Sequence, residues 1–315
     1  MSPLQLVGFG LASVAVMGND ALQTLGPFLA SQRGRHNRWL QGLVLAAVLC
    51  AVLLLSWAAG GGDPAWGRLD RFPLPDPFRF RDLLPLVALL LLTRLGMPVS
   101  TSFLVLTALA PVELGPMVRK SLSGYGVAFA LAVLAYGGLA RGGGERVAAG
   151  ADDGSGARGW RLLQWLATLA LWSQWLVQDL ANIYVYLPRR LQLAELLATL
   201  VVLGGAVALI VVLGGGPMQG RLRGKCGAGD PRAGAGISLL YGLVLLLFLG
   251  GDRLPLSTSW LFLGLLAGRE VGLAWRGVGR SAVEVARELS GDLLRAAAGL
   301  ATSLAVALLV AADRA

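Results

Sequence analysis

The sequence predicts an all-α polytopic membrane protein made of two inverted repeats, each with three crossing helices and a re-entrant hairpin. Three observations lead there. Of the 315 residues, 56% are hydrophobic and 14% charged, whereas soluble domains carry roughly 25% charged residues. Several apolar runs approach or exceed the ~20 residues that span a bilayer as helix. A set of polar landmarks also occurs twice, in the same order, which points to two diverged copies of one unit.

The clearest landmark is Pro98-Val99-Ser100-Thr101-Ser102, repeated as Pro255-Leu256-Ser257-Thr258-Ser259. Each copy follows a lone carboxylate in apolar surroundings: Ser100 comes 80 residues after Asp20, and Ser257 comes 78 after Asp179. Downstream, Leu122-Ser123-Gly124 and Leu289-Ser290-Gly291 each read as the opening of an apolar helix.

Taken in order, Ser2 to Met17 lacks a basic start and a small-residue cleavage pattern before Gly18-Asn19-Asp20. A retained helix ending near Ser31 is therefore expected, not a signal peptide. Gln32–Arg38 is a basic connector and Leu40–Trp57 returns. Gly60–Asp82 is a polar loop in which four Arg balance four Asp, and its proline-rich stretch from Pro73 to Pro77 opposes helix. The arms Leu83–Leu95 and Phe103–Ala110 of a hairpin at 83–112 join at Gly96-Met97-Pro98. At about 1.5 Å per residue each arm is too short for a hydrocarbon core ~30 Å thick. Irregular backbone at that depth is tolerated only where protein or a polar cavity surrounds it. Leu122–Leu139 then crosses and closes a first unit at 1–140.

Residues 141–160 form a Gly- and Arg-rich linker to a second unit at 161–315. In it Leu162–Leu187 crosses with Asp179 and Asn182 deep in its length. Leu191–Leu213 returns with Glu195 inside it, in want of a partner. After the basic loop Gly214–Gly236 comes a second hairpin at 237–268, with arms Ile237–Leu249 and Trp260–Ala267 around Pro255. Arg269–Glu288 reads as an amphipathic stretch on the membrane surface, before a last crossing at Leu289–Ala312. Three crossings per unit is an odd number, so the units must be inverted relative to each other. Placing the basic connectors inside puts both termini outside, with the two hairpins entering from opposite faces. The expected location is a bacterial inner (plasma) membrane.

The net charge of +9 reports orientation in the bilayer, and no clustered basic-aromatic surface points to nucleic acid. Cys50 and Cys226 make neither a disulfide framework nor a metal site. The single histidine, His36, excludes a His-based metal centre, so no transition metal and no cofactor are expected. An intramembrane enzyme with a serine nucleophile would lack a base, so the chain is not expected to be an enzyme.

At each tip a proline in the first turn of the following arm would leave Ser100, Thr101 and Ser102, and again Ser257, Thr258 and Ser259, beside unpaired helix N–H groups. Those donors, the hydroxyls and the positive end of the helix suit a small anion. The plainer alternative is that these residues cap half-helices. A carboxylate in hydrocarbon costs roughly 2.5–3.5 kcal/mol on insertion scales and so usually has a function. Asn19 and Gln23 accompany Asp20, and Gln178 and Asn182 accompany Asp179. Their oxygens suit a small cation, Na⁺ or H⁺, that would offset the charge of the anion. Tyr184 and Tyr186 lie close enough in sequence to Asp179 to line the same cavity, or simply to pack.

These residues also carry a resemblance. Gly18-Asn19-Asp20-x-x-Gln23 resembles the G-A-N-D-x-x-N signature of the inorganic phosphate transporter (PiT) family, and Pro98-Val99-Ser100-Thr101-Ser102 its P-V-S-T-T-H. Gln178-Asp179-x-x-Asn182 and Pro255-Leu256-Ser257-Thr258-Ser259 repeat both more loosely. Phe103 and Trp260 stand where the second signature continues, with no histidine after either run. The resemblance implies a divergent, dimeric member. It would be a cation-coupled symporter of an inorganic oxyanion, by alternating access, with phosphate first and sulfate or another small oxyanion as the alternative. It places the anion at the Ser/Thr tips, and the cation or substrate at Asn19, Asp20, Gln178, Asp179 and Asn182. A transport-inactive membrane scaffold of the same fold is the competing expectation.

Overall fold

A computed structural model describes residues 1–32, 37–94, 99–138, 155–214, 231–278 and 280–312. Residues 141–154 of the linker, most of the Gly214–Gly236 loop, the Gly96-Met97-Pro98 turn, His36 and Cys226 lie outside the described residues, and the linker's last six residues, 155–160, are helical. Helices α1 (Pro3–Ser31), α2 (Arg38–Ala59), α3 (Leu84–Arg94), α4 (Thr101–Leu109) and α5 (Leu114–Val133) come first. Then follow α6 (Ser155–Asp179), α7 (Ala181–Tyr184), α8 (Leu193–Val212), α9 (Pro231–Leu249), α10 (Thr258–Trp275) and α11 (Ala282–Ala312). Among the described residues six helical stretches are long and apolar enough to cross a membrane: α1, α2, 111–138 around α5, α8, α9 and most of α11. The protein is an all-α polytopic membrane protein.

Local chemistry explains the boundaries. Pro3 at the first position of α1 follows Ser2, which caps Gln5 N–H while the Gln5 side chain accepts from Ser2 N at 2.7 Å. α2 stops at Gly60, and Gly61 and Gly62 turn the chain at φ 59° and 103°, backbone that only glycine adopts without strain. Glu195 accepts from Gln192 N at 2.9 Å and caps α8. It therefore stands in the first turn of its span, with the cap as its partner.

Contacts at the helix ends define two faces. One gathers Gly8 with Tyr186 and Leu83, Gly62 with Leu191, Arg189 with Phe72, Arg71 with Glu113, and Arg68 with Leu249. The other gathers Ser31 with Gln164, Arg38 with Val212, Gly236 with Tyr136, and Gly137 with Trp275. α1 and α5 run from the first face to the second, and α6 and α9 run back. α2 and α8 are antiparallel neighbours, touching where a Cβ at Gly42 would lie 3.1 Å from the Ala208 backbone. The broadest packing joins α10 to α5, α9 to α6, α2 to α8, and α11 to α4.

The α5–α10 contact rests on backbone meeting backbone. Gly264, Gly268 and Gly272 recur every four residues on α10. A Cβ at Gly264 or Gly268 would overlap the carbonyl oxygen of Tyr125 or Phe129, and one at Gly272 would lie 2.9 Å from Gly137 N. Small residues at this spacing are the usual means by which helices approach closely in lipid.

The structure corrects several expectations. The arms of the second hairpin are 19 and 18 residues long, so α9 is itself long enough to cross. It starts at Pro231 and not Ile237 because Gly234 packs against Gln164 and Pro27, where a Cβ would lie 3.1 Å from Pro27 O, so the small residues there serve close packing, not a loop. α6 is not among the six apolar spans; polar Arg161, Gln164, Gln174 and Gln178 interrupt it, and it ends at Asp179 instead of running on to Leu187. Arg269–Glu288 is no surface element. Arg269 is buried in the last turns of α10 over the Tyr136 ring, and α11 has begun by Ala282. Leu122-Ser123-Gly124 and Leu289-Ser290-Gly291 lie within α5 and α11, not at helix starts.

Candidate functional site

The two tips are built alike. Ser100 and Ser257 are N-caps at φ/ψ of −79°/112° and −79°/105°. The Ser100 hydroxyl accepts from Phe103 N at 3.2 Å, and that of Ser257 from Trp260 N at 3.3 Å. The first serine of each run therefore caps its helix, as the plainer reading expected. Pro255 sits two residues before the cap and not in the first turn; Pro98 lies outside the described residues.

The remaining hydroxyls converge on the two carboxylates. Thr258 donates to Asp179 Oδ2 at 2.6 Å, and Ser259 to Asp20 Oδ1 at 3.4 Å. Thr101 faces Asp20 from the other tip without an ordinary hydrogen bond. Ser102 donates to Leu256 O at 3.5 Å, joining tip to tip, and accepts from Asn182 Nδ2 at 3.1 Å. Asn182 also donates to Asp179 Oδ1 at 2.9 Å, and Gln178 Nε2 reaches Leu256 O at 3.4 Å. On α1, Asn19 donates to Asp20 Oδ1 at 2.7 Å and Gln23 to Asn19 at 3.4 Å. Asp20 and Asp179 lie within electrostatic reach of one another. The structure thus brings all twelve sequence-predicted residues into one neighbourhood, and none is more than 9% exposed. The cluster is closed to both faces.

Two amide oxygens in it are unspent. Gln178 Oε1 and Asn182 Oδ1 are buried without a partner, although a buried polar atom left unpaired costs about 1–3 kcal/mol. They stand one turn apart beside Asp179 and are hard oxygen donors of the type that hold small cations. No group of three or more His, Cys, Asp or Glu able to hold a metal ion occurs among the described residues.

Sequence reasoning missed the supports. Ser121 accepts from Ser257 N at 2.8 Å, and Tyr241 donates to Thr258 O at 2.9 Å. Lys120 pairs with Asp252 and donates to Leu254 O, both at 2.7 Å. Arg68 leaves its loop to donate to Leu249 O at 2.9 Å and Arg253 O at 3.4 Å, bracing the approach to the second tip. Burial pulls its guanidinium down to about 10, with Asp179 and Asp252 opposing, so it stays charged at neutral pH. The sequence signal was there for Ser121, a hydroxyl beside the repeated landmark. For Arg68 it was masked by the balanced charges around it. Tyr184 bonds Thr199 at 2.7 Å and Tyr186 packs on Gly8. Neither turns to the acids.

No protein-family model, characterised protein or solved structure matches the chain.

Proposed function

We propose that this protein is a cation-coupled secondary transporter of a small inorganic oxyanion, working by alternating access as a divergent relative of the inorganic phosphate transporters. Phosphate is the first candidate substrate, and sulfate or another oxyanion of similar size is the alternative. The observation that carries the reading is the pairing of the second tip with the acids: Thr258 on Asp179, Ser259 on Asp20. A hydroxyl has one proton to donate. While the carboxylates hold those protons, the tips cannot offer them to an anion. A cation, Na⁺ or H⁺, taken by Asp20, Asp179 and the spare amide oxygens would release them. The freed hydroxyls and the helix N-termini behind them would then hold the oxyanion. Cation and anion are coupled because the cation, by occupying the carboxylates, frees the hydroxyl protons that the anion then accepts.

The inverted-repeat reading draws support from direction and packing. α1, α2 and α5 run opposite to α6, α8 and α11, and α5 grips α10 as α11 grips α4. Sites at the meeting of such repeats are characteristic of secondary transporters. On this reading the face carrying Gly62 and Arg68 is outside, both termini lie there, and the protein works as a homodimer in a bacterial inner membrane.

Purified protein in liposomes should take up phosphate or sulfate only when a Na⁺ or proton gradient is imposed. Thr258→Val should cut that uptake at least tenfold, because it removes the hydroxyl and keeps the shape. No uptake and no binding of any small oxyanion would favour the inactive scaffold.

A further inference from the structure

Serine and threonine inside apolar helices ordinarily return their proton to a carbonyl one turn back. Ser13, Ser173, Ser303 and Thr302 do so, as does Thr107. Thr24, Thr168 and Ser238 depart from that habit. The Thr168 and Ser238 hydroxyls are fully buried with no partner, and Thr24 faces the Tyr241 phenol in place of its own helix.

The three belong to different helices but to one seam. Gly234 of α9 packs on Gln164 of α6, and a Cβ at Gly242 would lie 3.8 Å from the Leu171 backbone. That parallel register sets Ser238 opposite Thr168. A Cβ at Gly234 would also lie 3.1 Å from Pro27 O of the antiparallel α1, which brings Ser238 level with Thr24. At one end the seam meets the candidate site: Thr24 is one turn from Asp20, and Tyr241 donates to Thr258 O at 2.9 Å. At the other end Gln164 donates to Ser31 at 2.5 Å, beside Gln32 at the second face.

We propose that this α1–α6–α9 seam is the route by which the coupling cation, with its water, passes between the carboxylates and the face carrying Gln32. The inference rests on the symport reading and deepens it. A dry, permanently packed interface would have turned these hydroxyls back on their own helices; here the Thr168 and Ser238 hydroxyls are buried with no bond to a backbone carbonyl, ready to coordinate what passes. Thr24, Thr168, Ser238, Gln164 and Gln32 supply hydroxyl and amide oxygens and are themselves uncharged, which suits a small monovalent cation.

The test places one cysteine at a time, as Thr168→Cys or Ser238→Cys, in protein carrying Cys50→Ala and Cys226→Ala. Liposomes are treated from the Gln32 face with a cationic trimethylammonium-ethyl methanethiosulfonate or its anionic sulfonatoethyl counterpart. Both seam cysteines should react, at least tenfold faster with the cationic reagent, while Ile237→Cys, buried beside Ser238, should not. Seam rates no higher than at Ile237→Cys, or an equal or faster anionic reaction, would overturn the route. Reactive seam cysteines in protein that moves no anion would sink the symport reading and leave the route; robust uptake with an unreactive seam would do the reverse. If the cysteine variants fail to fold, Thr168→Val with Ser238→Ala gives a second test. Gradient-driven uptake should fall at least tenfold with anion binding retained, and unchanged uptake would overturn the proposal.

Discussion

Gly268→Ala is expected to unfold this protein at a markedly lower temperature than the parent, whereas Gly126→Ala should raise its stability. The added methyl group is the same in both. At Gly268 it overlaps the Phe129 carbonyl and comes within 2.9 Å of Ala132 Cβ. A backbone oxygen cannot swing aside as a long side chain can, so α10 must back away from α5 along the whole Gly264–Gly272 stripe. Overpacking of this kind costs about 1–3 kcal/mol or more. At Gly126 nothing lies within 4 Å, and alanine in a helix interior gains roughly 0.5–1 kcal/mol over glycine. Thermal unfolding of the three proteins in one detergent measures the difference. Equal shifts of the same sign would mean that the close α5–α10 contact is not what holds the tip-bearing helix in place.

Asp179→Asn should abolish coupled uptake while leaving the fold intact. Asparagine has nearly the same shape, and its carbonyl oxygen accepts the Thr258 proton that Asp179 accepts at 2.6 Å. It carries no charge to hold a cation or a proton. A loss of at least about a hundredfold in uptake, about 2.7 kcal/mol, is expected with unfolding temperature little changed. Asp20→Asn should follow the same pattern, because Ser259 and Asn19 both donate to that carboxylate. Full uptake by either variant would show that the acid is merely a structural hydrogen-bond acceptor.

The candidate site was legible in the sequence because hydrocarbon makes polar residues conspicuous. Asp20, Asp179 and the two Ser-Thr-Ser runs stand out of apolar stretches that otherwise need no side-chain hydrogen bonds. Duplication marked both runs: Thr258 bonds the acid 79 residues before it, whereas Asp20 is bonded by Ser259 from the other repeat. The lengths of the helices were less legible. Alanine and glycine at 233–236 serve a loop or a close helix contact equally well, and only the presence of Gln164 and Pro27 opposite decides for helix. The roles of Arg68, Lys120 and Ser121 depend on which loop lies over which tip, a tertiary fact without a local signal. Thr168 and Ser238 were invisible for a different reason: a hydroxyl in an apolar helix can turn back on its own backbone or outward, and the residue type is the same in both cases.

The central claim is that cation and anion share one hydrogen-bonded cluster, and titration of purified protein with phosphate or sulfate measures it most directly. Coupling between linked sites is typically 5–150-fold. The anion should therefore bind at least about fivefold more tightly when Na⁺ is added, or when the pH is lowered, and Thr258→Val with Ser259→Ala should remove that gain. Anion affinity indifferent to both Na⁺ and protons, or no anion binding at all, would contradict the account.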